Sequence, residues 1–284
     1  MKKILLQLDN DKFASVFDAV TAYDAGIDSL LQYGGVQPED VRNLIYGEMF
    51  TRGGEDLKNS AAFIGGSNVE AGEAMLKAAK DSFFGPVRVS LMMDANGCNT
   101  TATAAVAKML AHGDLSGKKV AILAGTGPVG LRAAALLAKE GADVVLTSRG
   151  LEKAEKACAS IEERFGVKVA PQAAATPEDY NAVLQGVTAV LTCGAAGVQC
   201  VSEEMWKAND SLKVLADVNA VPPVGIEGVK SHWNGKEVEG KFLYGALGIG
   251  GFKMKLHRAC VAKLFEQNDL VLDAEEIFGI AKTL

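Results

Sequence analysis

At 284 residues the chain is long enough for one large or two smaller domains, each with a real core. Forty-nine per cent apolar and 23% charged residues exclude a largely disordered chain, and 31 glycines against 7 prolines point to many tight turns. A formal net charge of -6 lacks the Lys and Arg excess that nucleic-acid binding draws on, so a small-molecule partner is expected and a nucleic acid is not.

Cys98, Cys158, Cys193, Cys200 and Cys260 are odd in number and widely spaced, with neither disulfide nor zinc spacing. A reducing, cytoplasmic setting without a metal site is therefore expected. The opening apolar run is broken by Gln7 and stopped by Asp9, too short for an export signal. No stretch approaches the roughly 20 apolar residues that span a bilayer, so no membrane partner is expected.

Residues 2–8 read as a strand, 15–23 as a helix capped by Ser15, and Pro38-Glu39-Asp40 as a helix first turn. A strand over 60–64, a helix over 69–79 and a strand over 87–93 follow, and this alternation predicts parallel crossover units. After an alanine-rich helix over 99–110, the polar run from His112 to Gly117 suggests a boundary. The pattern then restarts with strands at 119–123, 143–147, 189–192 and 212–217 and helices at 130–139 and 151–165. Glycine-rich residues 245–251 read as a loop before helices at 252–265 and 274–282. The expected class is α/β. A smaller domain over 1–112, joined by residues 253–284, would accompany a Rossmann-type parallel-sheet domain over 113–252.

The strand at 119–123 leads into Gly125-Thr126-Gly127-Pro128-Val129-Gly130 at the start of a helix, the dinucleotide fingerprint in its required context. Gly125 permits the turn, Gly127 admits a pyrophosphate, Gly130 lets helix and strand pack closely, and the helix amino end holds the anion. The next strand ends in Ser148-Arg149 rather than in a carboxylate. Arg149 can pair bidentately with a 2′-phosphate and Ser148 can donate to it, which favours NADP over NAD. Lys153 either adds charge there or lies on a solvated helix face.

Three later segments follow strands, where open α/β sheets bind ligands. Cys193, Gly194 and Ala195 could pass under the ribose, and Gly248 and Gly250 could approach the nicotinamide. Asp217 and Asn219 could contact cofactor or simply form a turn. Lys253 and His257, four apart, share one helix face. Asn96, Asn99, Thr100 and Thr101 combine a turn with polar donors at a helix start, and could bind substrate or only cap.

Across these strings, and in Ser15-Val16-Phe17-Asp18, Thr51-Arg52-Gly53-Gly54, Phe83-Phe84-Gly85-Pro86, Asp94 to Thr101 and Pro222 to Ile226, the chain resembles the NAD(P)-dependent methylene-tetrahydromethanopterin dehydrogenases of methylotrophic bacteria. The resemblance implies a homotrimeric enzyme of one-carbon oxidation, with the smaller domain holding the pterin, the other NADP, and the active site in a cleft between them. It implies that Phe17 packs on the pterin or imidazolidine ring, that Thr101 or its neighbour Thr100 hydrogen-bonds there, and that Lys253 and His257 line the reacting end. Where relatives carry further basic residues after the Arg turn, this chain has Gly150-Leu151-Glu152, and Glu152 leaves NAD open as a second acceptor. Rival readings are the same reaction on tetrahydrofolate, a shikimate-type dehydrogenase, for which no Lys-Asp pair is evident, and a non-catalytic NADP sensor.

Overall fold

The computed structural model describes residues 1–284. The elements run β1 (Ile4–Asp9), α1 (Val16–Asp24), β2 (Ser29–Tyr33), α2 (Pro38–Met49), β3 (Ser60–Gly65), α3 (Val69–Lys80), β4 (Ser90–Met93), α4 (Cys98–Leu110), β5 (Lys119–Leu123), α5 (Pro128–Lys139), β6 (Asp143–Ser148) and α6 (Leu151–Phe165). They continue β7 (Ala170–Ala173), α7 (Pro177–Val183), β8 (Ala189–Thr192), α8 (Glu203–Ala208), β9 (Val214–Asp217), β10 (Asn234–Val238), β11 (Lys241–Tyr244), α9 (Ala246–Lys263), β12 (Val271–Leu272) and α10 (Ala274–Ala281). The chain divides into two units, one of Met1–Thr100 with Met254–Leu284 and one of Thr101–Lys253. The division falls inside α4 rather than at the polar run after it. From Ala102 onward this helix carries core residues such as Val106 and Met109, and a polar loop alone does not mark where the packing changes.

The first unit is a five-stranded sheet in the order β12-β4-β3-β1-β2, parallel throughout. Its inner strands β3 and β4 are buried along their whole length, as expected for a parallel sheet covered on both faces. The edge strands β2 and β12 escape the sequence reading: β2 is half-exposed without clean alternation, and β12 has only two residues. Ser15 caps α1 as expected, its hydroxyl accepting from the Asp18 amide at 3.2 Å.

The second unit is a seven-stranded sheet in the order β10-β11-β9-β8-β5-β6-β7, parallel except for β10 against β11. Strand order reverses at β5, with β6 and β7 to one side and β8 and β9 to the other, so the ligand crevice of such a sheet lies beyond the carboxyl ends of β5 and β8. The short elements β7, α7, α8, β10 and β11 were not expected. Among them α8 is pinned by Trp206, whose ring is buried and whose Nε1 donates to the Glu227 carbonyl at 2.9 Å.

Residues 246–251 are the first turns of α9 and not a loop, which corrects the expectation. Gly248, and Gly245 just before the helix, serve packing. A methyl on Gly248 would stand 2.0 Å from the Trp233 carbonyl oxygen, and one on Gly245 would stand 2.2 Å from that of Lys230.

Candidate active site

In the second unit β5 ends in a turn built as the fingerprint requires. Ala124 adopts a positive φ of 50°, its amide donating to Thr147 Oγ1 at 2.9 Å, and the Gly125 amide donates to the Thr147 carbonyl at 3.0 Å. A methyl on Gly130 would fall 2.3 Å from the Gly125 oxygen, so the helix lies against the turn at a distance only glycine allows. Gly127, the N-cap of α5, has no atom within 4 Å of where a methyl would sit. Thr126, Pro128 and Val129 complete the turn, with Pro128 in the first helical turn where it needs no donor. Open space at Gly127, at the amino end of a helix, is what a pyrophosphate needs. Ser148 is buried at the end of β6, and Arg149 and Lys153 are exposed just beyond it.

Cys193 and Gly194 are partly buried after β8 and Ala195 is exposed, with the Cys193 amide tied to the Leu123 carbonyl at 2.9 Å. Burial pushes the Cys193 thiol well above its usual range, so it is a neutral wall. Asp217 is consumed by its own loop. Its carboxylate accepts from Thr192 Oγ1 at 2.8 Å and from the Asn219 and Ile226 amides at 2.9 and 3.0 Å. Asn219 accepts from the Val221 amide. The structure thus employs both as turn formers, the second of the two expectations, and Gly225 packs directly on the Thr192–Asp217 pair. Gly250, one turn into α9, has open space around it.

In the first unit the strand ends carry a second constellation. Phe17, 53% exposed, stands on the first turn of α1 with its ring centroid 6.5 Å from that of His257. His257 lies beneath it, stacked on Phe63 and only 1% exposed, with Nδ1 4.0 Å from Asp94 Oδ2. His257 thus stands behind Phe17, between it and Phe63. Lys253, four residues earlier on α9 and the last residue of the second unit, is partly exposed.

Asn99 and Thr100 are both fully buried. Asn99 Nδ2 donates to the Met93 carbonyl at 2.6 Å and to Asp273 Oδ1 at 2.8 Å, and Thr100 Oγ1 donates to Asp94 Oδ2 at 2.5 Å. Their polar groups hold α4 in place. Thr101 remains partly exposed and Asn96 is exposed on a positive-φ turn, so these two can face a ligand. Asp94, given no role from the sequence, is the hub. It also accepts the Asn99 and Thr100 amides at 2.9 Å each, capping α4 from the end of β4. An acid directly after a buried strand was the available signal.

A parallel sheet whose switch point carries a glycine turn and a helix amino end, in one chain with a second α/β unit, defines a dinucleotide-dependent dehydrogenase. A family model described as the N-terminal domain of methylene-tetrahydromethanopterin dehydrogenase matches residues 16–96, and one described as NAD(P)-binding matches residues 112–225. The bifunctional protein MdtA of Methylorubrum extorquens is 48% identical over all of this chain and 99% of its own length. The NAD(P)-dependent methylenetetrahydromethanopterin dehydrogenase of the same organism is 34% identical over 99% of this chain and 98% of its own. The chain belongs to the methylene-tetrahydromethanopterin dehydrogenase family. Shikimate 5-dehydrogenase of Listeria monocytogenes, 14% identical, covers 98% of this chain and 96% of its own at a TM-score of 0.52, a likeness of fold alone.

Proposed function

We propose that this chain dehydrogenates 5,10-methylene-tetrahydromethanopterin reversibly to the methenyl form, passing a hydride to NADP, with NAD as a second acceptor. The observation that carries this reading is the division of labour along one chain: the pterin-dehydrogenase model falls in the first unit and the NAD(P) model in the second.

When bound, NADP supplies the hydride acceptor. The fit rests on the open space at Gly127, the close helix approach at Gly130 and Arg149 standing where an NAD site carries an acid. Residues 125–130 hold the pyrophosphate, and Ser148, Arg149 and Lys153 meet the 2′-phosphate. Cys193, Gly194, Ala195 and Gly250 line the remainder of the nucleotide. Glu152, three residues after Arg149, pairs with Lys156 at 2.7 Å and brings no positive charge to the 2′-phosphate, which leaves NAD as a second acceptor.

Removing a hydride from the methylene carbon leaves a methenyl cation shared between two nitrogens, with no proton to be taken away. Positioning therefore outweighs acid–base work. Phe17 packs on the pterin, with His257 and Phe63 stiffening it from below, and Thr101 and Asn96 supply hydrogen bonds. Lys253 pairs with a pterin carbonyl, because an ammonium facing the developing cation would oppose the reaction.

Val16, Val20 and Tyr23, exposed at helical spacing on α1, support self-association, which we place as a homotrimer. No helix is long and apolar enough to cross a membrane, and the five cysteines are all free, which supports a cytoplasmic location. The test is nicotinamide absorbance with purified methylene-tetrahydromethanopterin and each oxidised cofactor. Reduction of NADP is expected. A higher kcat/KM on methylene-tetrahydrofolate would overturn the pterin assignment, and nucleotide binding without turnover on either carrier would indicate a sensor.

A further inference from the structure

A cavity of about 490 Å³ opens in the first unit between the second half of α2 and strands β1, β2 and β3. Ile4 and Ser60, the first residues of β1 and β3, line it, and it runs along β2 as far as Tyr33. Phe17, Asp94 and His257 gather at the carboxyl ends. None of Phe17, Asn96, Thr101, Lys253 and His257 lines the cavity, so it is distinct from the dehydrogenase site.

Its walls include the apolar side chains of Leu6, Leu31 and Leu44, with Tyr33 beside them. Into this lining α2 and the residues after it bring Glu48 and Arg52. Glu48 is 6% exposed, and its Oε2 has no hydrogen-bond partner; the buried Nη1 of Arg52 has none either. Burial raises the Glu48 carboxyl, opposed by the Ser60 hydroxyl and the Arg52 guanidinium. Buried polar atoms are almost always hydrogen-bonded, so one acceptor and one donor left unmet in the same cavity specify a complement. It must offer an N–H to Glu48 and a lone pair to Arg52. The two formal charges oppose one another, so neither an anion nor a cation is favoured. The apolar lining selects a ring, and the volume falls in the range of small-molecule sites, about 300–1,000 Å³.

We infer that this cavity is a second small-molecule site, taking a neutral heterocycle with a cyclic-amide edge, of the pyrimidinone or purinone class. The test is isothermal titration of the full-length protein, saturated with NADP so that its nucleotide site is filled, with hypoxanthine, benzoate and benzamidine as probes. Hypoxanthine is expected to bind, and Glu48→Gln and Arg52→Met each to weaken it about tenfold or more, the scale of one charge-assisted hydrogen bond. Dehydrogenase rates should not change. Affinity untouched by both variants, benzoate or benzamidine binding as tightly as hypoxanthine, or no heat at all would overturn the assignment. A change in sedimentation coefficient in either variant would show instead that a second copy of the chain fills the cavity. Should one variant fail to fold, a wild-type crystal soaked with hypoxanthine decides: density against Glu48 and Arg52 supports the site, and density elsewhere or none rejects it.

Discussion

His257 lies over the ring of Phe63 with 5.4 Å between centroids and 22° between planes, beneath the half-exposed Phe17. The two layers of this stack should answer differently to truncation. His257→Ala opens a hole in a fully buried position and is expected to cost about 2–4 kcal/mol of stability. Phe17→Ala should stay within about 1 kcal/mol of wild type yet lower kcat/KM for the pterin about tenfold, since an aromatic stacking contact is lost. Denaturant titration beside steady-state rates separates the two, and a wild-type kcat/KM for the pterin in Phe17→Ala would remove that residue from the substrate site.

Two glycines of the nucleotide turn should part company in the same way. Gly130→Ala drives a methyl to within 2.3 Å of the Gly125 oxygen, so α5 must shift, and a loss of about 1–3 kcal/mol is expected in thermal unfolding. Gly127 has a φ of -85°, which alanine tolerates, and empty space around it. Gly127→Ala should therefore unfold like wild type, within about 0.5 kcal/mol, while binding NADP at least about tenfold more weakly. Unchanged affinity would mean that the pyrophosphate does not lie there.

Arg149 has the cleanest test of cofactor choice. Arg149→Ala is expected to weaken NADP by about 1.5–3 kcal/mol, the worth of a hydrogen bond to a charged group, and to leave NAD within about twofold. Fluorescence titration with both nucleotides measures it. Equal losses would show that Arg149 stacks on adenine and does not read the 2′-phosphate.

Cys158, buried on α6, has its thiol pushed up to about 11 by desolvation. A group whose folded value is raised holds its proton longer in the native state than in the unfolded chain, so its contribution to stability is complete below the unfolded value near 9 and is lost as pH climbs to about 11. Unfolding free energy should fall across that window, and Cys158→Ala should reduce the slope by one proton. Burial raises Tyr180, Cys200 and Cys260 too, so a residual slope is expected to remain.

Much of the architecture was legible because it is written locally. The spacing of β5, residues 125–130, α5 and β6 reports itself over some thirty residues, and the missing carboxylate at Ser148-Arg149 needs no neighbour to be seen. The edge strands β2 and β7 were not legible, because half-exposed strands lack both the apolar run and the alternation that betray a strand. Glycines 245–251 misled for a related reason. Glycine disfavours a helix when weighed by propensity, but the Trp233 carbonyl leaves no room for a side chain at Gly248, and tertiary packing overrides the local preference.

By itself the chain determined the α/β class, the nucleotide turn and the residue types gathered near the reacting ends, all of which depend on short-range order. Only the tertiary structure decided which of those polar groups are buried and which stay exposed. Asn99 is withdrawn by an acceptor 174 residues away, Thr100 by Asp94, and His257 by two aromatic rings from distant strands and helices. Exposure depends on what the folded chain brings alongside a residue, and no window of sequence contains that.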